Sequence, residues 1–390
     1  MKRIYMDHQS AVPLDGRVLE YALPFLKDRF GNPSSQHTPG LEAREAVEEA
    51  RGKIAALVNA GAPKNIILTG GATEANNLAV RGAAYRNADK IGKKAVCSAI
   101  EHMSVLNPVR ELKKNGFETE LAPVDGHGLV DLGRLAEIAV PGTVVTSVMY
   151  ANSEIGTIQP VREIGKIVRA AGSIFHVDAT AAAGRIPIDV EADGIDLLTI
   201  SSSDLGGPRG AGALYVRPGV KLQTVMPGGG QERGLRSGTE NVFAIAGMGE
   251  AARLAALEMN EESSRLAEIR DALISGLLGI EETYLTGHPE KRLPHHASVR
   301  FTAIEGEGIL LLMDRAGIQV STGSACSSQT LQASHVLLAI GLKHEEVHGS
   351  MVLTLGRSSV IEDVPYVVAT AAETVTRLRA MSPVWNRKKS

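Results

Sequence analysis

Between residues 66 and 217 the chain keeps returning to one pattern, an apolar run, a small-residue turn and a helix-forming stretch. The runs are NIILT, KKAVCSAIEH, TELAPV, GTVVTSVMYANSEIG, SIFHVDA, DLLTISS and AGALYV. Near-continuous apolar strands separated by helices imply a mostly parallel sheet covered on both faces. The fold class this predicts is α/β, with a large doubly wound sheet domain.

The stretch 176–217, HVDATAAAGRIPIDVEADGIDLLTISSSDLGGPRGAGALYVR, organises the rest. It predicts a strand ending in Asp178, a short helix, a strand over 195–201, a Gly/Pro turn and a strand over 212–216. Ligands of open α/β sheets sit beyond the carboxyl ends of the strands, so Asp178 and the turn 201–204 both face that crevice. Upstream, a strand over 66–69 runs into Gly70-Gly71-Ala72-Thr73 and a helix beginning near Glu74. Glycines let a backbone close on an oxyanion, and a helix start complements its charge.

The stretch 41–59 is a strong amphipathic helix, stopped by Gly61 and Pro63. The loop PGGGQERGLRSGTENV (227–242) is polar and rich in glycine, and it precedes a long helix over 242–270. Beyond about residue 260 helices mix with fewer strands (HHASVRF, GIQVSTG, SMVLTLG). This organisation predicts a large domain over 14–258 and a smaller α+β domain made of 1–13 and 259–390.

Composition narrows the function. A net charge of −3 with no basic block beyond Arg387-Lys388-Lys389 gives no nucleic-acid surface and no membrane patch. There is no run of roughly 18 apolar residues and no charged-then-apolar N-terminus, which predicts a cytoplasmic protein. Two cysteines, Cys97 and Cys326, make no disulfide framework.

Cys326 lies in GIQVSTGSACSSQTLQ, a strand followed by a loop of small polar residues, the setting of an exposed reactive or metal-binding thiol. Cys97, inside KKAVCSAI, reads as core packing. His102 follows that strand and either stacks on a planar ring or completes a hydrogen bond; Asn152 in MYANSEIG either orients a ring substituent or caps a turn. The segment His344-Glu345-Glu346-Val347-His348 matches H-E-x-x-H, but it lies in a polar stretch with no third ligand in view. It reads as a solvated helix end rather than a zinc site.

Taken together, GNPSS, GGATEANN, Glu101-His102, MYANSEIG, HVDAT, GPRGAGALYVR, GGGQERGLRSGTEN and STGSACSS before SMVLTLGR resemble the group I cysteine desulfurases of the IscS/NifS type. These are fold-type-I pyridoxal-phosphate enzymes of the class V aminotransferase family. The resemblance spans nearly the whole chain. It implies a homodimer in which Ala72, Thr73 and Ser201 hold the cofactor phosphate, with Thr239 reaching it across the dimer. His102 would stack on the pyridine ring, Asn152 would sit near the ring hydroxyl, and Asp178 would pair with the pyridinium nitrogen. Cys326 would accept sulfur as a persulfide and pass it to a U-type scaffold for iron–sulfur assembly.

The resemblance also implies departures. Its S-G-H-K pattern, whose lysine carries the cofactor, here reads Ser201-Ser202-Ser203-Asp204, and an aspartate cannot form an imine. The ring-hydroxyl glutamine is Ala181, the substrate-carboxylate arginine is Val352, and the N-terminal A-T-T has become Ser10-Ala11-Val12. The expectation is a desulfurase-like protein of cluster assembly that has lost ordinary desulfuration of cysteine to alanine and binds pyridoxal phosphate non-covalently if at all. Cys326 would then carry sulfane sulfur or ligate a [2Fe-2S] cluster together with the scaffold. Two alternatives stand beside it: an active desulfurase using non-covalent cofactor, and a non-catalytic regulatory subunit of an active paralogue.

Overall fold

In the computed structural model, which describes residues 3–323 and 333–389, twelve strands fall into three sheets. The strands are β1 (Ile4–Tyr5), β2 (Ile66–Thr69), β3 (Lys94–Ser98), β4 (Glu118–Ala122), β5 (Thr143–Ser147), β6 (Ile174–Asp178), β7 (Leu197–Ser201), β8 (Gly212–Val216), β9 (Thr283–Leu285), β10 (His296–Phe301), β11 (Ile318–Gln319) and β12 (Ser350–Thr354). The large sheet has the order β2-β8-β7-β6-β5-β3-β4. All its neighbours pair in parallel except β8, which runs against both β2 and β7.

The apolar runs explain this sheet. β2, β5, β6, β7 and β8 are buried along their whole length, and their side chains alternate between two cores. Ile66 and Leu68 pack on one face with the helices Thr38–Leu57 and Val161–Ala170, and Ile67 packs on the other with Ala72–Ile91 and Met103–Lys114. A sheet sandwiched this way needs no polar face. A smaller sheet, β12-β10-β9, has its own core with helices Gly306–Arg315 and Val364–Met381. Helix Val242–Leu278 runs past the predicted end at 270, sending Ala244 and Met248 into the first core and Leu266 and Leu273 into the other. Among the described residues no helix is long and apolar enough to cross a membrane.

One local expectation fails. The connection between β6 and β7 is a chain of turns instead of a short helix. Gly184 and Gly194 sit at φ +71° and +69°, and Asp189 accepts from the amides of Glu191 and Ala192, so side chain and glycine take the place of helical bonds.

Two buried polar arrangements hold the ligand-facing end. Arg51 donates to Glu232 at 2.7 and 2.8 Å and to the Ile66 carbonyl at 2.7 Å. Glu232 also accepts the Leu68 N–H at 2.8 Å, capping the outer side of edge strand β2. Glu232 and Arg233 have φ of +48° and +60°, and the ion pair keeps this tight turn of the 227–242 loop seated. Beyond β3, Glu101 is enclosed and accepts from Ser98 Oγ at 2.5 Å and the Met149 N–H at 2.8 Å. Burial pushes its pKa up to about 8, and Glu154, bonded to Ser334, is pushed to about 8 by the same cause.

Glu232→Ala leaves an edge-strand amide without its acceptor and a buried guanidinium with only Glu48 and the Ile66 carbonyl, and is expected to cost about 3 kcal/mol in chemical denaturation. A loss below ~1 kcal/mol would show that the pair is dispensable. Glu101 keeps a proton in the native chain from about pH 4.5, its ordinary value, to about pH 8. Over that window the unfolded chain has released it, so stability falls as pH rises. Glu101→Gln should flatten the fall of Tm across the window, and an unchanged slope would contradict a protonated native Glu101.

Candidate active site

Asp178 ends β6 inside the sheet crevice. Its Oδ2 accepts from Asn76 Nδ2 at 2.7 Å and its Oδ1 from the Thr180 N–H at 2.9 Å. Asn76 Nδ2 also donates to Ser104 Oγ at 2.8 Å, and Ser104 Oγ meets His102 Nδ1 at 2.8 Å. The Ser104 backbone N–H donates to the same nitrogen at 3.1 Å, so Nδ1 is bare and the ring carries its proton on Nε2. One hydrogen-bonded chain therefore fixes both Asp178 and His102. Asn76 Oδ1 is buried with no hydrogen-bond partner among the described residues.

These groups border a cavity of ≈ 220 Å³, whose lining includes Ala72, Thr73, His102, Asp178, Ala181 and Asp204. An adjoining cleft holds the start of helix Ala72–Ile91 together with Ser201, Ser203 and Asp204. A Cβ on Gly212 would fall 2.6 Å from the Gly71 carbonyl carbon, so the close approach needs glycine at 212, while φ +153° favours glycine at 71. The first-turn N–H groups of the helix have no acceptors of their own and favour an anion. Glu74, in that turn, is neutralised by Arg236 at 2.8 Å and accepts from the Gly70 N–H at 2.9 Å.

Asp204 lies on the short connection between β7 and β8. Ser203 Oγ donates to its Oδ2 at 3.0 Å, and Ser201 Oγ lies 2.9 Å from Ser203 Oγ. Burial raises the pKa of Asp204; hydrogen bonds from Ser201 and Ser203 oppose that, the Asp178 charge adds to it, and Arg185 opposes it. Among the described residues, no lysine lines the cavity or the clefts around it.

The structure thus brings Ala72, Thr73, His102, Asp178 and Ser201 together around one cavity and its cleft. Asn152 stands beside them. Its nitrogen donates to the Ile100 carbonyl at 3.0 Å and its oxygen accepts from the amides of Glu154 and Ile155, so it caps the turn after β5. Thr239 is exposed on the 227–242 loop, outside this lining. Cys326 lies outside the described residues. Val352 is buried on β12 and Cys97 on β3, where burial raises its thiol pKa. The segment 344–348 forms a single turn, with His348 facing Glu305 at 3.8 Å.

Sequence reasoning does not single out Asn76, Ser104, Arg185 or His295. Asn76 has a usable signal, a polar residue on a helix face otherwise made of Ala75, Leu78 and Ala79. Arg185 and His295 have none, because only the fold carries them to this cavity.

Comparison with known proteins agrees with this geometry. The aminotransferase class-V family matches residues 4–367. Cysteine desulfurase IscS 1 of Archaeoglobus fulgidus is 56% identical over 383 residues, 98% of this chain and 100% of that one. Cysteine desulfurase IscS of Methanosarcina thermophila is 46% identical over 384 residues, covering 98% and 94%. A solved NifS-like protein superposes with a TM-score of 0.90 at 34% identity, covering 97% of this chain and 100% of its own. The NifS-like protein of Rickettsia africae gives 0.88 at 30% identity, covering 96% and 100%. The α/β class read from the strand rhythm is borne out, and pyridoxal phosphate is the cofactor such membership implies. The chain belongs to the class V aminotransferase family, among the cysteine desulfurases of the IscS/NifS type.

Proposed function

We propose that this chain serves iron–sulfur cluster assembly as a desulfurase relative that has lost the covalent cofactor route, acting through Cys326. The observation that carries the reading is Asp204, placed between the helix start and Asp178 in a cavity that no described lysine lines. A carboxylate offers no amine to form an imine, and among the described residues no lysine of the surrounding lining replaces it.

The remaining donor set fits pyridoxal phosphate held non-covalently. The start of helix Ala72–Ile91, with Ser201, would take the phosphate. Asp178, held by Asn76 and Thr180, would take the pyridinium nitrogen, and His102 would lie against the ring. When bound, the cofactor supplies an electron sink for bonds at the α-carbon of an amino acid. Asp204 works against this arrangement, since its charge opposes a phosphate nearby, and the proton that burial favours on it relieves the conflict.

Cys326 then becomes the working group. A thiolate there can accept sulfane sulfur from another donor, or supply a ligand to a [2Fe-2S] cluster built with a U-type scaffold on a homodimer. The Asp178–Asn76–Ser104–His102 chain supports a second reading, an active desulfurase working with non-covalent cofactor, because that network keeps Asp178 and His102 in place.

Incubated with cysteine and pyridoxal phosphate, the parent chain is expected to form no alanine. Asp204→Lys should retain a yellow cofactor through gel filtration. Robust cofactor-dependent alanine from the parent would overturn the proposal in favour of the second reading. Mixed with a U-type scaffold, iron and sulfide, the parent should raise the yield of assembled cluster and Cys326→Ser should not. Equal support from the serine variant would assign the chain a regulatory role.

A further inference from the structure

Behind the cavity that Asp178 borders lies a second chamber of ≈ 370 Å³. Residues 12–17, 183–185, 204–206 and 356–358 wall it together with helix Val242–Leu278, and it meets the first cavity at His8, Val12, Arg185 and Asp204. On its outer side Arg17 and Arg357 are half exposed, and the acids beside them are paired. Asp15 holds Arg17 at 2.8 Å and Arg357 at 3.3 Å. Glu258 holds Arg17 at 2.6 Å and also Arg357, and Glu262 holds Arg265 at 2.6 Å.

Arg185 stands apart from this network. Its guanidinium makes no hydrogen bond or ion pair with any described residue. Its backbone is pinned, the N–H donating to the Ala182 carbonyl at 2.9 Å and the carbonyl accepting from Ser263 Oγ at 2.6 Å. Burial lowers its pKa, the charges of Asp204 and Glu262 oppose that, and Arg357 adds to it. A guanidinium stays charged through such a shift. Asp204 shares the chamber, but Ser203 Oγ is its donor at 3.0 Å and burial favours its protonated form. A protonated carboxyl neither neutralises Arg185 nor repels an anion. His8 adds no charge, because its Nδ1 donates to the Thr354 carbonyl at 2.9 Å and burial lowers its pKa.

The chamber is therefore left with one unanswered cation. A guanidinium offers five N–H donors and no acceptor, and enclosing it without an anion is costly. Its planar fork pairs two oxygens of an oxyanion at once. The paired acids on the outer side disfavour a polyanion, and the other arginines there are already engaged, so the match is a compact anion that one fork satisfies. We propose that this second chamber binds a small inorganic oxyanion of the sulfate and thiosulfate class at Arg185. Thiosulfate is the member that carries a sulfane sulfur. Its use as a sulfur donor rests on the reading that sulfur reaches this chain without desulfuration of cysteine; the oxyanion site itself does not.

Calorimetric titration of the full chain with sodium thiosulfate, and separately with sodium sulfate, tests the site. Sodium chloride holds the ionic strength constant, which separates binding from screening of the Arg17 and Arg357 pairs. Pyridoxal phosphate in excess occupies the helix start at Ala72, the other place an anion could go. Saturable binding is expected, weakened about tenfold or more by Arg185→Gln and less by Arg185→Lys, which keeps the charge and loses the fork. Thiosulfate should also raise the Tm of the parent and leave that of Arg185→Gln where it was. The Tm of each variant without anion reports whether it folds, and the lysine variant carries the comparison if the glutamine variant does not. Absence of saturable binding, parent-like binding by Arg185→Gln, or binding abolished by pyridoxal phosphate would each overturn the assignment. Thiosulfate bound more tightly than sulfate supports a sulfur-donor site, and equal binding supports a site for oxyanions at large. Alanine formed from cysteine would sink the functional reading and leave oxyanion binding standing.

Discussion

The hydrogen bond from Asn76 to Asp178 joins the two halves of the site. A carboxylate at the end of a fully buried strand needs donors, and the protein supplies one from the facing helix and one from the next turn of chain. Because Asn76 also holds Ser104, and Ser104 holds His102, the position of the imidazole follows from the position of the carboxylate. Gly212, with no Cβ, leaves room for the Gly71 backbone from which this helix starts.

Much of this architecture is legible in the amino-acid order. Period and run length identify the strands, and the glycine turns before helices place the anion-binding end. The direction of β8 is not legible, since a five-residue apolar strand buried on both faces looks alike whichever way it runs. The β6–β7 connection misleads for a related reason. Its alanines favour helix, but Gly184, Pro187 and Gly194 divide it into turns. At the site, Asp178 and the glycine cradle are visible because their chemistry is local. Arg185, His8 and His295 come from three distant segments, and only tertiary packing makes them neighbours of one cavity.

Placing an acid at residue 204 changes the electrostatics of the cavity. Asp178 and Asp204 repel through an environment poor in water, and burial raises the pKa of Asp204. Arg185 opposes that rise without closing onto the carboxylate.

Main-chain bonds hold the backbone of the connection from β7 to β8: Ser202 N–H to Ala211, Leu205 N–H and Gly207 N–H to Ser202, and Gly206 N–H to Ser203. None of them uses the side chain at 204, and Gly206, at φ +79°, absorbs the bend. The side chain at 204 can therefore be exchanged while the backbone around it stays intact. In a lineage built on this hairpin, kinship of shape can outlast the identity of the side chain it presents.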